Sequence, residues 1–203
     1  MKECSIALAL FAWKRPEYLK KALDTHTKIP RVDYNAFVDH SEIQGHIANL
    51  ILKTGMYRVH KTKTHLGLNT NIKDGIDYLF KRYDAVIVLE DDLLLTPDSL
   101  PYLAYELTQL KNDSRFGAVS CVKGKYGDEF KCWGWGTWKD RWEQIDWTAQ
   151  PKKKNRDSWD MIVAENFRRK GWYCRCSDIP RVKHIGAKGV HYNLIGYLKE
   201  KLF

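Results

Sequence analysis

The sequence has 203 residues and sets 34 Lys and Arg against 25 Asp and Glu, a formal charge of +9. Hydrophobic residues make up 44% and are spread along the whole chain, which excludes disorder and supports one domain with a real core. Its apolar stretches, such as 5–13 and 85–89, fall far short of the ~20 residues a bilayer span requires.

The first 120 residues alternate between two periodicities. Residues 5–11 form a continuous apolar run, the pattern of a strand buried on both faces. Pro16 follows where a first helical turn tolerates it, with Leu19, Ala22 and Leu23 at helical spacing. Residues 34–38 read as a second strand ending at Asp39. Ser41 is a candidate helix cap, ahead of an apolar stripe of Ile43, Ile47, Leu50 and Ile51. A weaker third strand covers 57–60. Asn69 or Thr70 can cap a helix whose inner face is Ile72, Ile76, Leu79 and Phe80. Residues 85–89 are the clearest strand in the chain. Thr96-Pro97-Asp98 then starts a helix with Leu100, Leu103, Leu107 and Leu110 on one side, and 118–122 make a fifth strand.

Strands alternating with helices at this spacing predict an α/β fold with a mostly parallel sheet covered on both faces. After Val122 the alternation stops. Residues 123–147 are rich in Gly and Trp without a sustained period, 152–156 are basic and polar, and 157–169 fit one more helix. Seven of the eight tryptophans lie between Trp133 and Trp172, so a single domain over 1–203 with an irregular Trp-rich C-terminal third is expected. Trp133-Gly-Trp-Gly-Thr-Trp138 has two readings: aromatic faces for a sugar ring, or a satellite core under a long loop.

The five cysteines are odd in number and sparse, and no secretory signal pattern precedes them, so reduced thiols of a cytoplasmic protein are expected. Cys174-x-Cys176 with His184 and His191 invites a zinc reading. The pair lacks a partnering C-x₂-C, and buried free thiols are the favoured alternative.

The positive charge suits nucleic acid, anionic lipid or a phosphorylated small molecule. No helix-turn-helix, RRM signature or zinc-finger spacing is present, which argues against nucleic acid; a weak peripheral membrane contact stays compatible. The sharper signal is Glu90-Asp91-Asp92, directly after Ala85-Val-Ile-Val-Leu89. In open α/β sheets, ligands bind beyond the carboxyl ends of the strands, where this triplet must fall. Three adjacent carboxylates repel each other and resist desolvation, a conflict that Mg²⁺ or Mn²⁺ would relieve. A helix cap is a poor alternative, because the next helix has its own start at Thr96-Pro97-Asp98. No glycine-rich loop follows the first strand, where the sequence is Ala12-Trp13-Lys14-Arg15-Pro16. A metal-bridged diphosphate, as in nucleotide-sugar enzymes, replaces it.

The first strand ending in Arg15-Pro16, Asp39 closing the second and the triplet Glu90-Asp91-Asp92 resemble the GT-A glycosyltransferases. Val88-Leu-Glu-Asp-Asp-Leu93 with Thr96-Pro97-Asp98, then Gly134-Trp135, Trp142, Trp159-Asp160 and Ile185-Gly-Ala-Lys-Gly-Val-His191 occur in an order similar to the N-acetylglucosaminyltransferase I family, glycosyltransferase family 13. The resemblance implies inverting transfer from UDP-N-acetylglucosamine to a glycan acceptor with Mn²⁺ or Mg²⁺, with UDP-galactose or UDP-glucose as alternative donors. It implies a nucleotide-binding half over 1–122 and an acceptor half over 123–203. It implies Asp92 as metal ligand, Asp91 and Glu90 at the ribose or donor sugar, and Arg15 and Asp39 at the diphosphate and uridine. His65 would lie near the nucleotide, Trp135 would line the donor and acceptor pocket, and Asp160 would be the catalytic base. His191 is a candidate second metal ligand. As residues alone, Asp160 is equally an ordinary first-turn carboxylate, Asp39 a turn residue and His65 a loop side chain.

Overall fold

The computed structural model describes residues 4–125, 127–151 and 158–186. The elements run β1 (Ile6–Ala12), α1 (Pro16–Leu23), β2 (Val32–Val38), α2 (Gln44–Leu52), β3 (Arg58–Lys61), α3 (Leu68–Phe80), β4 (Ala85–Glu90), β5 (Leu93–Leu95) and α4 (Ser99–Gln109). They continue as β6 (Phe116–Lys123), β7 (Trp135–Trp138), α5 (Lys139–Trp142), α6 (Trp159–Lys170), β8 (Tyr173–Ser177) and β9 (Val182–His184). Seven strands form one sheet in the order β3-β2-β1-β4-β7-β6-β8. The pairs are parallel except those of β7, which runs antiparallel to both β4 and β6.

The continuous apolar strands feed two cores, as a doubly covered sheet requires. In β1, Ile6, Leu8 and Leu10 face one side and Ala7, Ala9 and Phe11 the other; β4 divides in the same way into Ala85, Ile87, Leu89 and Val86, Val88. Helices α1, α2 and α4 cover the first face with Leu19, Ile47, Ile51, Leu103 and Leu107. Helices α3 and α6 cover the second with Ile72, Ile76, Val163 and Phe167. Among the described residues no helix is long and apolar enough to cross a membrane.

The Trp-rich third contributes strands to the same sheet. In β7, Trp135 enters the second core and Trp138 the first, where its Nε1 donates to the Leu107 carbonyl at 2.8 Å. Gly136 lets α4 close onto the strand, since a Cβ there would lie 2.8 Å from Leu107 Cδ1 and 3.0 Å from the Val86 oxygen. A four-residue strand with tryptophans on opposite faces and a glycine between them has no alternation to read. The helix starts also differ from expectation. α2 begins behind Ile43 rather than Ser41, and α3 begins behind Gly67, at φ 78°, rather than Asn69 or Thr70. The Asp39 carboxylate accepts the Leu66 and Gly67 amides and so moves the α3 start.

His26 lies buried beside Tyr57, its Nδ1 2.6 Å from the phenol oxygen. Burial lowers its pKa from 6.5 to about 4. The unfolded chain then takes up a proton first, so stability is intact above pH 6.5 and falls as pH drops toward 4. The loss is on the order of 3 kcal/mol. Urea midpoints of wild type and His26→Gln should diverge across this window, the wild type showing the steeper dependence; parallel curves would discount the residue.

Candidate active site

The carboxyl ends of β1, β2 and β4 meet at one sheet edge. β4 delivers Glu90 there, and the chain turns through Asp91 and Asp92 into β5. β5 pairs antiparallel with β9, Leu93 opposite His184, and this ribbon returns the late part of the chain to the triplet. Ile185 N donates to the Asp92 carbonyl at 2.9 Å. Gly186 approaches so closely that a Cβ would stand 2.2 Å from Asp92 Oδ2.

Asp91 and Asp92 are only 2% and 3% exposed. Arg15, at the N-terminus of α1, spans both: Nη1 donates to Asp92 Oδ2 at 2.6 Å, and Nη2 pairs with Asp91 Oδ1. The Trp13 amide adds a bond to Asp91 Oδ2 at 3.3 Å. His184 Nε2 lies 3.3 Å from Asp92 Oδ2, its ring stacked on Trp133 at 4.8 Å and 9°. Burial and the neighbouring Asp92 and Asp91 raise the Glu90 pKa to about 8, with a further push from Asp160. Burial raises Asp91 to about 6, against the pull of Arg15. Burial also opposes ionisation of Asp92, but the contacts with His184 and Arg15 outweigh it and hold its pKa below the usual value. Three carboxylates facing one permanent cation make a centre short of positive charge.

Among the described residues no group of three or more His, Cys, Asp or Glu side chains converges as a complete metal cage. The donors that do meet are the Asp92 carboxylate and the His184 imidazole. Hard oxygen and imidazole donors suit Mn²⁺, and such ions commonly take one or two protein ligands and complete their shell with phosphate oxygens and water. The donor chemistry therefore fits a divalent ion shared with a diphosphate. His191 lies outside the described residues.

Asp39 organises the β2 side. Its Oδ1 accepts from His40 N at 2.8 Å, Thr62 Oγ1 at 3.0 Å and Leu66 N at 2.9 Å, and its Oδ2 from Gly67 N at 3.0 Å. His65 Nδ1 lies 2.8 Å from Oδ2. Burial alone would raise its pKa, but these donors, led by Leu66 N, hold it below the usual range. His65 in turn stacks on Trp13 at 4.8 Å and 15°, with Lys14 Nζ 4.9 Å from the Trp13 ring. Asp39, His65, Arg15, Glu90, Asp91 and Asp92 thus share one edge.

From the late part of the chain, Asp160 stands in the first turn of α6, half-buried and near enough to Glu90 to raise its pKa. Trp135 is 1% exposed and packs in the second core against Trp159, 5.6 Å away at 18°; it underlies the site rather than offering an open face. Cys174 and Cys176 are buried in β8 and all five thiols are free. The sequence offered His184 only in the zinc reading with Cys174 and Cys176, and Trp133 only as part of the Trp-rich segment; neither was placed at the triplet, and Trp13 was not offered as a site residue. Trp13 carried a signal in its place directly after the first apolar run. Nothing in the sequence tied His184 to Asp92, because only the β5–β9 pairing brings the two together.

No family profile and no curated sequence matches the chain. Solved structures do. The mannosyltransferase PcManGT from Pyrobaculum calidifontis, in complex with GDP-Man and Mn²⁺, matches with a TM-score of 0.66 at 13% identity, over 94% of this chain and 60% of that one. S. aureus TarS 1–349 in complex with UDP-GlcNAc matches with a TM-score of 0.65 at 10% identity, over 92% and 60%. The chain spans about 60% of the length of these structures. The fold is that of the GT-A-type glycosyltransferases.

Replacing Arg15 with Met leaves Asp91 and Asp92 buried without their cation. Breaking a fully buried pair costs about 3–5 kcal/mol. With the Arg15 side chain 29% exposed, we expect about 1–3 kcal/mol, read as a lower denaturant midpoint at neutral pH. An unchanged midpoint would show that solvent compensates the two carboxylates.

Proposed function

We propose that the chain is a metal-dependent, inverting glycosyltransferase that transfers N-acetylglucosamine from UDP-N-acetylglucosamine to a glycan acceptor, in the manner of the N-acetylglucosaminyltransferase I family. The observation that carries this reading is the meeting of the β4 triplet with Arg15 and His184, with Asp160 near enough for its charge to act on Glu90. The TarS complex with UDP-GlcNAc and the PcManGT complex with GDP-Man and Mn²⁺ lend support through fold. GDP-mannose is a second donor to test for that reason, beside UDP-galactose and UDP-glucose. The five free thiols favour a cytoplasmic setting.

In this mechanism Asp92 and His184 would hold the divalent ion, which supplies Lewis-acid stabilisation of the leaving diphosphate. Arg15 adds a fixed positive charge at the N-terminus of α1 and is the chain's own partner for the diphosphate. The His65 ring, half exposed and stacked on Trp13, receives the base. A carboxylate has about four lone-pair positions, and five protein donors surround that of Asp39. Asp39 therefore acts by holding the 62–67 loop and His65 rather than by touching uridine. Glu90 meets hydroxyls of the donor. Asp160 takes the proton from the acceptor hydroxyl as its oxygen attacks the anomeric carbon. The nucleotide side falls to residues 1–122 and the acceptor side to 123–203.

Asp160→Asn should bind UDP-N-acetylglucosamine with Mn²⁺ as wild type does in calorimetry, while turnover falls about 100- to 10,000-fold. Full turnover by this variant would remove Asp160 from the chemistry. Thermal shifts across the four donors, with and without EDTA, test donor choice. A metal-independent response, or none to any donor, would count against the reading.

A further inference from the structure

Helix α6 carries Asp160, and among the described residues its own Ser158 side chain does not cap it. Ser158 occupies its cap position, a residue type well suited to bonding the first-turn amides, and its side chain makes no such bond. The Trp159 amide is satisfied from far along the chain instead: it donates to Oδ1 of Asn69 at 2.8 Å, across 90 positions of sequence. Asn69 is the second residue of α3, immediately after the Gly67–Leu68 start. The Asp39 carboxylate fixes that start through the Leu66 and Gly67 amides. The Trp159 ring is held separately, stacked on Trp135 and edge-on to Phe130 at 6.2 Å.

We infer that Asn69 is a positioning residue for Asp160: its amide oxygen holds the first amide of α6 and sets the direction from which the Asp160 carboxylate meets the triplet. The inference rests on the base assignment proposed above. One frame then runs from Asp39 through Gly67 and Asn69 to Trp159 and Asp160. The nucleotide edge and the base are held to each other by side-chain oxygens that accept from backbone amides, without passing through the sheet. Because small errors in the placement of reacting groups cost large factors in rate, a contact at this position acts on turnover more than on stability.

Two readouts test it, with Asn69→Ala removing the oxygen and Asn69→Asp keeping it in the same place. In hydrogen exchange, Asn69→Ala should speed exchange of the Trp159 amide about tenfold, the size of one helix cap, with the core strands unchanged and Asn69→Asp restoring protection. In turnover of UDP-N-acetylglucosamine with Mn²⁺, Asn69→Ala should lower kcat about 10- to 100-fold at constant donor KM. Asn69→Asp should recover it, and adding Asn69→Ala to Asp160→Asn should cost nothing further. Unchanged Trp159 protection in Asn69→Ala overturns the inference, as does a loss of protection spread over the whole chain. A fall in kcat that Asn69→Asp does not recover overturns it too. Full turnover by Asp160→Asn overturns the base assignment on its own terms, while the exchange measurement, which needs no turnover, still decides whether Asn69 holds α6.

Discussion

Two carboxylates almost without solvent contact sit side by side at the end of β4, and the Arg15 guanidinium bridges them. Much of the surrounding architecture follows from keeping that arrangement. Arg15 must reach both, so the chain leaving β1 turns at once into α1, and Pro16 opens that helix at a position where its missing amide costs nothing. The turn has no glycine-rich loop because no backbone cradle for a phosphate is built there. Asp92 must also be approached from the other side, and the β5–β9 ribbon does this by laying His184 and Gly186 against its carboxylate. A side chain at position 186 would strike an oxygen already pinned from two directions.

The same edge explains why the two parts of the chain cannot be separated. β7 comes from the Trp-rich third, yet it stands between β4 and β6 and completes the hydrogen bonding of both. The strand that presents the triplet is thus flanked by β1 on one side and by a late strand on the other. Trp135 projects from β7 into the second core and stacks on Trp159, tying α6 to that strand. The tryptophans behave mainly as a second core, with Trp13 and Trp133 the ones that meet imidazoles at the site.

Strands β1, β2 and β4 and their helices were legible in the sequence because both faces of the sheet are covered, which writes strands as unbroken apolar runs and helices as stripes. The triplet was legible because carboxylates at the end of such a run have no ordinary structural task. Strands β7, β8 and β9 were not. Trp135–Trp138 is four buried residues with a glycine among them and no alternation, Tyr173–Ser177 mixes Tyr, Cys and Arg, and Val182–His184 has only three residues. Each takes its conformation from partners distant in sequence. Helix caps failed for the same reason: Asn69 has the chemistry of a cap, but its oxygen holds the first amide of α6 rather than one of the α3 helix it stands in. Propensity names what a side chain can do and leaves open to whom it does it.

The net charge of +9 takes its meaning from this centre. The sequence is basic while the triplet is anionic, and burial beside Asp92 and Asp91 pushes the Glu90 pKa up to about 8. An anionic ligand is drawn by the outer field and then meets carboxylates that repel it, with Arg15 the only permanent cation in contact with them among the described residues. A polyanion binding by charge alone would stop at the surface. A ligand arriving with its own divalent cation would offset that repulsion, and Asp92 and His184 are the residues that would hold the cation. The ratio of three carboxylates to one guanidinium thus favours, for the function proposed above, a diphosphate that brings its own cation over a bare polyanion.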